Sequence, residues 1–245
     1  MRRIAQGLAA RGARPLDDDS LMRATVEENR RRRALAELDR LRRDEPWRLL
    51  ASEAYLAVRA GAMMPAVEHA VLLAELIAAL RWRATRVYDN VRVVVVGAFC
   101  EQPPLPLVRA LERAGCYVVE DDLQLGLRTI DGEITCSPGE DAVESLARAF
   151  LEQGIATATR YVGQARKGAA LIERVRATAA DGVVFASPSF CDPALLDRPM
   201  LEAALDREGI PHTSFKYAEN TAQFGVIREQ AGAFSDAVKL WGGAT

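Results

Sequence analysis

The sequence predicts an α/β protein, a four-stranded parallel sheet preceded by an all-helical arm. Three observations carry that reading. Four short runs rich in β-branched or aromatic residues, "VRVVVVGAF" (91–99), "CYVVEDD" (116–122), "DGVVFASP" (181–188) and "PHTSFKYAEN" (211–220), all lie beyond residue 90. Helical patterns separate them, and strands alternating with helices are joined as parallel neighbours. The first ninety residues contain no such run and read as helix throughout, which divides the chain into a helical arm or joining region (1–90) and an α/β domain (91–245).

In chain order, "DDDS" at 17–20 supplies acids and a Ser cap to a long stretch of helix formers, 21–45, which stops before Pro46. Its apolar residues Met22, Val26, Leu35, Leu38 and Leu41 make a broken stripe, and Asn29 and Arg33 fall on or near it. Polar groups on a contact face need partners. A second helical stretch, 50–85, contains "SEAYLAVRAG" and "PAVEHAVLLAELIAALRWRA", the latter opened by Pro65. The run at 91–99 does not alternate, as expected of a strand buried on both faces, and it ends around Gly97. Pro103 and Pro104 open the next helix and Gly115 closes it, ahead of a second strand with acids at its carboxyl end. Residues 140–180 read as helix in two pieces broken near Gly163, followed by the third strand, the helix "PALLDRPMLEAALDREG", the fourth strand, and a last helix over 222–241. The expected strand order is flavodoxin-like, 2-1-3-4.

Composition narrows the function. The chain has 245 residues, 49% of them apolar, with 32 basic against 34 acidic side chains. That balance gives neither nucleic acid nor an anionic membrane a broad electrostatic reason to bind. The charge is uneven, since the first fifty residues carry 13 arginines against 9 acids. No segment reaches the roughly 18 apolar residues that span a bilayer, and "MRRIAQGLAARGARP" is too weakly apolar for a secretory signal, so a cytoplasmic protein is expected. The four cysteines are widely spaced without a CxxC pair, so reduced thiols are expected and the spacing argues against a self-contained zinc or iron–sulfur site. GxGxxG and GxxxxGK[ST] are both missing, which disfavours dinucleotide binding and P-loop hydrolysis. His69 and His212 lack a serine–acid arrangement and read as structural.

Ligands of open parallel sheets gather outside the carboxyl ends of the strands. Four polar loops fall there: "AFCEQPP" (98–104), "EDDLQLGLR" (120–128), "SPSFCDP" (187–193) and "AENTAQF" (218–224). Cys191 lies just before the helix that starts around Pro193, where free amide groups favour a thiolate able to bind metal or attack an electrophile. An ordinary buried cysteine is the competing reading. Cys100 is placed similarly after the first strand, whereas Cys116 reads as a core thiol and Cys136 as a surface one. Asp121 and Asp122 are suited to bind a cation or orient a base, with Arg128 as a partner, or else are solvated rim acids.

The stretches "GAFCEQPPLPLVRALERAGCYVVEDDLQLGLR", "GVVFASPSFCDPALLDRPMLEAALDREGIPHTSFKYAENTAQF" and "VIREQAGAFSDAVKLW" resemble the 2-hydroxyacyl-CoA dehydratase family, and within it the core subunits of ATP-dependent benzoyl-CoA reductases. "NRRRRALAELDRLRRDEPWRLLASEAYLAVRAG" is similar to the helix joining that family's two domains. The resemblance implies an oxygen-sensitive, anaerobic core dimer with a homologous partner subunit. Each subunit would hold a 4Fe-4S cluster on three cysteines beside an acyl-CoA pocket, and ATP-hydrolysing activator subunits would deliver low-potential electrons. It makes Cys191 the matching cluster ligand and leaves Cys100 a second candidate without an assigned role, while the small Ser187 and Ser189 would let cluster and substrate approach. Glu101, Gln102, Asp121, Asp122, Glu219 and Asn220 are the expected rim groups near substrate or cluster. The reaction implied is one-electron reduction of an aromatic acyl-CoA or reductive dehydration of a 2-hydroxyacyl-CoA. Two departures stand out. The family's preceding α/β domain, which donates the other two cluster cysteines, has no counterpart before Cys100, so a truncated subunit or a separately encoded N-terminal half is expected, and the chain alone should be inactive. Ala222 and Gly225 also stand where a more polar loop is expected. The alternative is a non-catalytic assembly module whose helical arm docks a partner subunit.

Overall fold

The computed structural model describes residues 1–97, 103–123, 130–137, 139–154, 167–218 and 224–241. Among them are nine helices and four strands: α1 (Arg2–Ala9), α2 (Asp18–Asp44), α3 (Ala51–Ala60), α4 (Ala66–Arg81), β1 (Val91–Val96), α5 (Leu105–Arg113), β2 (Cys116–Asp121), α6 (Ala142–Glu152), α7 (Ala169–Ala177), β3 (Gly182–Pro188), α8 (Asp192–Arg207), β4 (His212–Tyr217) and α9 (Phe224–Trp241). The strands form one all-parallel sheet in the order β2-β1-β3-β4, as the sequence predicts. No described helix is long and apolar enough to cross a membrane.

Both sheet faces are covered, which explains why β1 does not alternate. Val91, Val93 and Val95 join Val184, Ala186, Phe215 and Tyr217 in a core with residues of α5 and α9. Val94 faces the other way with Val183 and Phe185, in a core completed by Leu171 and Val175 of α7 and Leu205 of α8. A separate helical core holds Leu35, Leu38, Leu49, Leu73 and Ile77. β1 ends at Val96, next to the Gly97 at which the sequence places its end, and β4 spans His212–Tyr217 within the predicted 211–220. The short helix α1, which buries no residue, falls within the helical arm but is not marked by a cap or stripe of its own in the sequence reading.

Helix α2 is specified at both ends. The Asp17 carboxylate accepts a hydrogen bond from the Ser20 amide at 2.7 Å, Asp18 and Asp19 occupy the first turn, and Arg42 and Arg43 the last, so charge complements the helix dipole at both termini. Its polar stripe residues find the partners they require. The Asn29 side chain both donates to the Ile134 carbonyl and accepts from the Ile134 amide, each at 2.9 Å. Arg32 donates to the Ile130 carbonyl at 2.7 Å, and Arg33 pairs with Glu133. The long helix therefore holds the segment after β2 by its backbone as well as packing on α4.

Candidate functional site at the carboxyl edge of the sheet

From β1 the chain crosses to β2 on one side, and later returns past β1 to β3 on the other. The connections diverge between β1 and β3, and a crevice opens at such a switch point outside the carboxyl ends of the strands. Gly97 marks the exit of β1. A Cβ there would lie 1.7 Å from the Ala186 carbonyl oxygen, so only glycine permits this approach of β1 to β3. The Gly97 amide donates to Asp122 Oδ1 at 2.8 Å, which fixes the exit of β1 from the end of β2.

The neighbouring acid is bound to the helical arm. Asp121 accepts a hydrogen bond from the Leu123 amide at 2.9 Å through Oδ1, and its Oδ2 pairs with the Arg42 guanidinium. The two side chains are 4% and 2% exposed, so this is a fully desolvated ion pair. Arg42 also donates to Asp39 at 2.7 Å. Burial works against the Arg42 charge, but Asp121, Asp39 and Glu120 outweigh it and hold the guanidinium above its usual range. Glu120 is pushed above the ordinary carboxylate range by burial and by repulsion from Asp39, against the pull of Arg174 and Arg42. The carboxylates of both predicted rim acids thus make contacts within the protein.

At β3 the predicted residues lie close together along the chain. Ser187 is buried within the strand and pairs in register with Lys216. The amide and hydroxyl of Ser189 both donate to the Tyr217 carbonyl, at 2.8 and 3.0 Å, which closes the β3–β4 ladder. The Cys191 amide donates to the Pro188 carbonyl at 3.1 Å, forming a tight turn that leaves Phe190 94% exposed and Cys191 2% exposed. Cys191 is the N-cap residue of α8, and its carbonyl accepts from the Leu195 amide at 3.0 Å. The thiol therefore stands at a helix N-terminus, out of contact with bulk water.

Among the other cysteines, Cys116 begins β2 at the opposite edge of the sheet, and burial pushes its thiol up to about 12. It is a protonated core residue. Cys136 is half-buried in the segment after β2. Cys100, Glu101, Gln102, Arg128, Glu219, Asn220 and Ala222 lie outside the described residues. The described residues contain no group of three or more His, Cys, Asp or Glu side chains able to hold a metal ion. They bring Asp121, Asp122, Ser187, Ser189 and Cys191 to the carboxyl edge. Sequence reasoning missed Arg42, although its spacing from Leu35 and Leu38 puts it on the same buried stripe, where a charge requires a partner.

The family described as 2-hydroxyglutaryl-CoA dehydratase, D-component, matches residues 1–238. One of the subunits of benzoyl-CoA reductase from Thauera aromatica is 42% identical over 239 residues, covering 97% of this chain and 61% of its own length. The beta subunit of lactoyl-CoA dehydratase from Anaerotignum propionicum is 25% identical over 209 residues, 84% of this chain and 54% of its own. The beta subunit of (R)-2-hydroxyglutaryl-CoA dehydratase from Acidaminococcus fermentans is 23% identical over 225 residues, 91% of this chain and 59% of its own. The chain thus spans between 54% and 61% of the length of these curated relatives. With a parallel sheet whose switch point carries Cys191 and a match that runs from its first residue to the end of the last helix but for a few positions, the chain belongs to the 2-hydroxyglutaryl-CoA dehydratase D-component family.

Proposed function

We propose that this chain is part of a subunit of an ATP-dependent acyl-CoA reductase or dehydratase complex, with reduction of an aromatic acyl-CoA favoured by its 42% identity to a benzoyl-CoA reductase subunit. The observation that carries this reading is the placement of Cys191 at the N-terminus of α8, on the carboxyl side of the β1/β3 switch point. A 4Fe-4S cluster takes three or four thiolates. Tested against that requirement, Cys191 suits one ligand position, because amide dipoles at a helix N-terminus favour the thiolate, whereas its burial by itself favours the neutral thiol until a metal is bound. Cys116 does not fit, because it begins β2 at the opposite edge of the sheet. The remaining ligands lie outside the described residues, in Cys100 of this chain, a longer polypeptide or a partner subunit.

When bound, the cluster supplies low-potential single electrons. The chain's own residues do the holding and excluding. The Pro188–Cys191 turn directs the thiol inward, Ser189 ties that turn to β4, and Gly97 together with Asp122 keeps the exit of β1 close against β3. Ser187 and Ser189, small side chains on either side of Pro188, would let cluster and thioester approach this edge. Residues 1–90 and 91–245 act as two units, joined by the Arg42–Asp121 pair. That pair also suits the rival reading, a non-catalytic assembly module, since it spends a rim carboxylate on structure.

The readings separate by purification without oxygen, with the subunits that co-purify, followed by iron and acid-labile sulfide measured per chain. The cluster reading expects iron and sulfide in near-equal amounts, and their loss in Cys191→Ser with the fold intact by circular dichroism. Iron absent from the assembled complex, or unchanged in Cys191→Ser, overturns it in favour of the assembly module.

A further inference from the structure

The opposite, amino-terminal edge of the sheet carries an open cleft of about 630 Å³, bordered by Asn90 before β1 and Gly115 before β2. Strands of this length place it on the order of 20 Å from the Cys191 edge. Its volume is that of a small-molecule site, typically about 300–1,000 Å³. Arg83, Arg86, Arg109 and Arg113 line it, together with the aromatic rings of Trp47 and Tyr88.

Charge accounting singles out three of the four arginines. Arg83 makes a two-point pair with Glu53, at 2.7 and 3.0 Å. Glu112, the other acid lining the cleft, accepts from the Ser52 amide and hydroxyl at 2.7 and 2.9 Å, so its carboxylate is committed to the start of α3. Among the described residues Arg86, Arg109 and Arg113 make no ion pair, in a protein where most arginines of α2 do. Arg113 in the last turn of α5 complements the helix dipole and Arg109 lies in the field of Glu112, but neither these two nor Arg86 is held by a carboxylate contact among the described residues. Arg109 and Arg113 stand one turn apart on the same face of α5, and a second hollow of about 320 Å³ beyond them adds Arg228 from α9. The Arg86 guanidinium lies 5.3 Å from the Tyr88 ring centroid, so cation and aromatic face are already arranged together.

We propose that this cleft binds an adenosine phosphate, with Arg109 and Arg113 taking the phosphates and Tyr88 and Trp47 the base. Guanidinium groups bind phosphate oxygens in two-point geometry, and exposed aromatic rings stack on a purine. A free nucleotide and the nucleotide head of coenzyme A share this chemistry. No carboxyl-edge residue takes part, so the inference stands or falls separately from the cluster reading.

Isothermal titration of the full chain with ADP, adenosine, pyrophosphate and coenzyme A tests it. ADP should bind, adenosine should not, and Arg109→Ala/Arg113→Ala should weaken ADP by at least roughly tenfold while leaving thermal unfolding unchanged. Tyr88→Ala should weaken ADP and leave pyrophosphate unaffected. Coenzyme A binding more tightly than ADP assigns the site to its nucleotide head, and the reverse assigns it to a free nucleotide. No binding of either at millimolar concentration, or binding that survives the double substitution, overturns the proposal. Pyrophosphate binding as tightly as ADP overturns the assignment to a nucleotide.

Discussion

Replacing Arg42 by methionine removes the cation that reaches Asp121 while keeping most of the side-chain volume. The Asp121 side chain is 4% exposed and, among the described residues, retains the Leu123 amide as its donor. Asp39, 15% exposed, keeps Arg43 at 3.1 Å, so the loss falls mainly on Asp121. Breaking a buried pair by removing one partner costs about 3–5 kcal/mol, because an uncompensated charge stays behind. A domain's total stability is about 5–15 kcal/mol, so Arg42→Met should lower the urea midpoint markedly with the slope unchanged. Asp121→Asn in the same background removes the stranded charge and should recover most of the loss, giving a coupling of roughly 2–3 kcal/mol in the double-mutant cycle. A single variant within about 1 kcal/mol of the parent, or two additive substitutions, would refute the reasoning.

Three further outcomes follow from individual sites. Gly97→Ala places a Cβ 1.7 Å from the Ala186 oxygen and should cost about 3 kcal/mol in the same urea experiment, since β1 or β3 must move. Burial holds the Glu112 carboxyl above its ordinary 4.5, against the Ser52 hydrogen bonds. The folded chain then binds the proton more tightly, so stability falls as pH rises from 4.5 through the raised value, and Glu112→Gln should flatten that part of a pH series of melts. Cys116, pushed up to about 12, should resist alkylation at about pH 8 in the native chain and react on unfolding, as followed by mass spectrometry.

The sheet was legible in the sequence because its signal is local. A six-residue run with five valines, buried on both faces, has few other interpretations, and helices between the runs force parallel pairing. The end of β1 was legible at Gly97, but its reason was not: the Gly97 backbone meets Ala186 there, a contact between segments far apart in the chain. The site divides in the same way. That Cys191 precedes a helix follows from Pro193, whereas the turn could in principle direct either Phe190 or Cys191 to solvent, and only the Cys191 amide bond to Pro188 decides it. Arg42 was hidden because it sits in a stretch so rich in arginine that solvation is the natural assumption. The buried carboxylates that select it come from residues 39, 120 and 121.

That selection has a consequence for how the two proposed units work together. Their hydrophobic cores are distinct, the helical one built on Leu38 and Leu73 and the sheet's on Val93 and Val184, with Ala51 of α3 joining the sheet's core. Cores that share little apolar surface can shift relative to one another at modest cost, unless a directional contact pins them. Arg42 is such a contact, and it pins the arm at the carboxyl end of β2, next in the chain to the aspartate that holds Gly97. Asn29 adds a second point, gripping the backbone of Ile134. Movement of α2 is therefore coupled to the end of β2 beside the β1/β3 crevice, as it is to the start of β1 through the Arg92 donation to the Arg43 carbonyl at 2.8 Å. If the proposed cluster reading holds, Arg42→Met should alter the geometry at Cys191 in chains that remain folded, so iron lost faster to a chelator than from the parent should accompany its loss of stability. Iron release at the parental rate from a variant destabilised by the amount above would show that the pair fastens the arm without setting the rim.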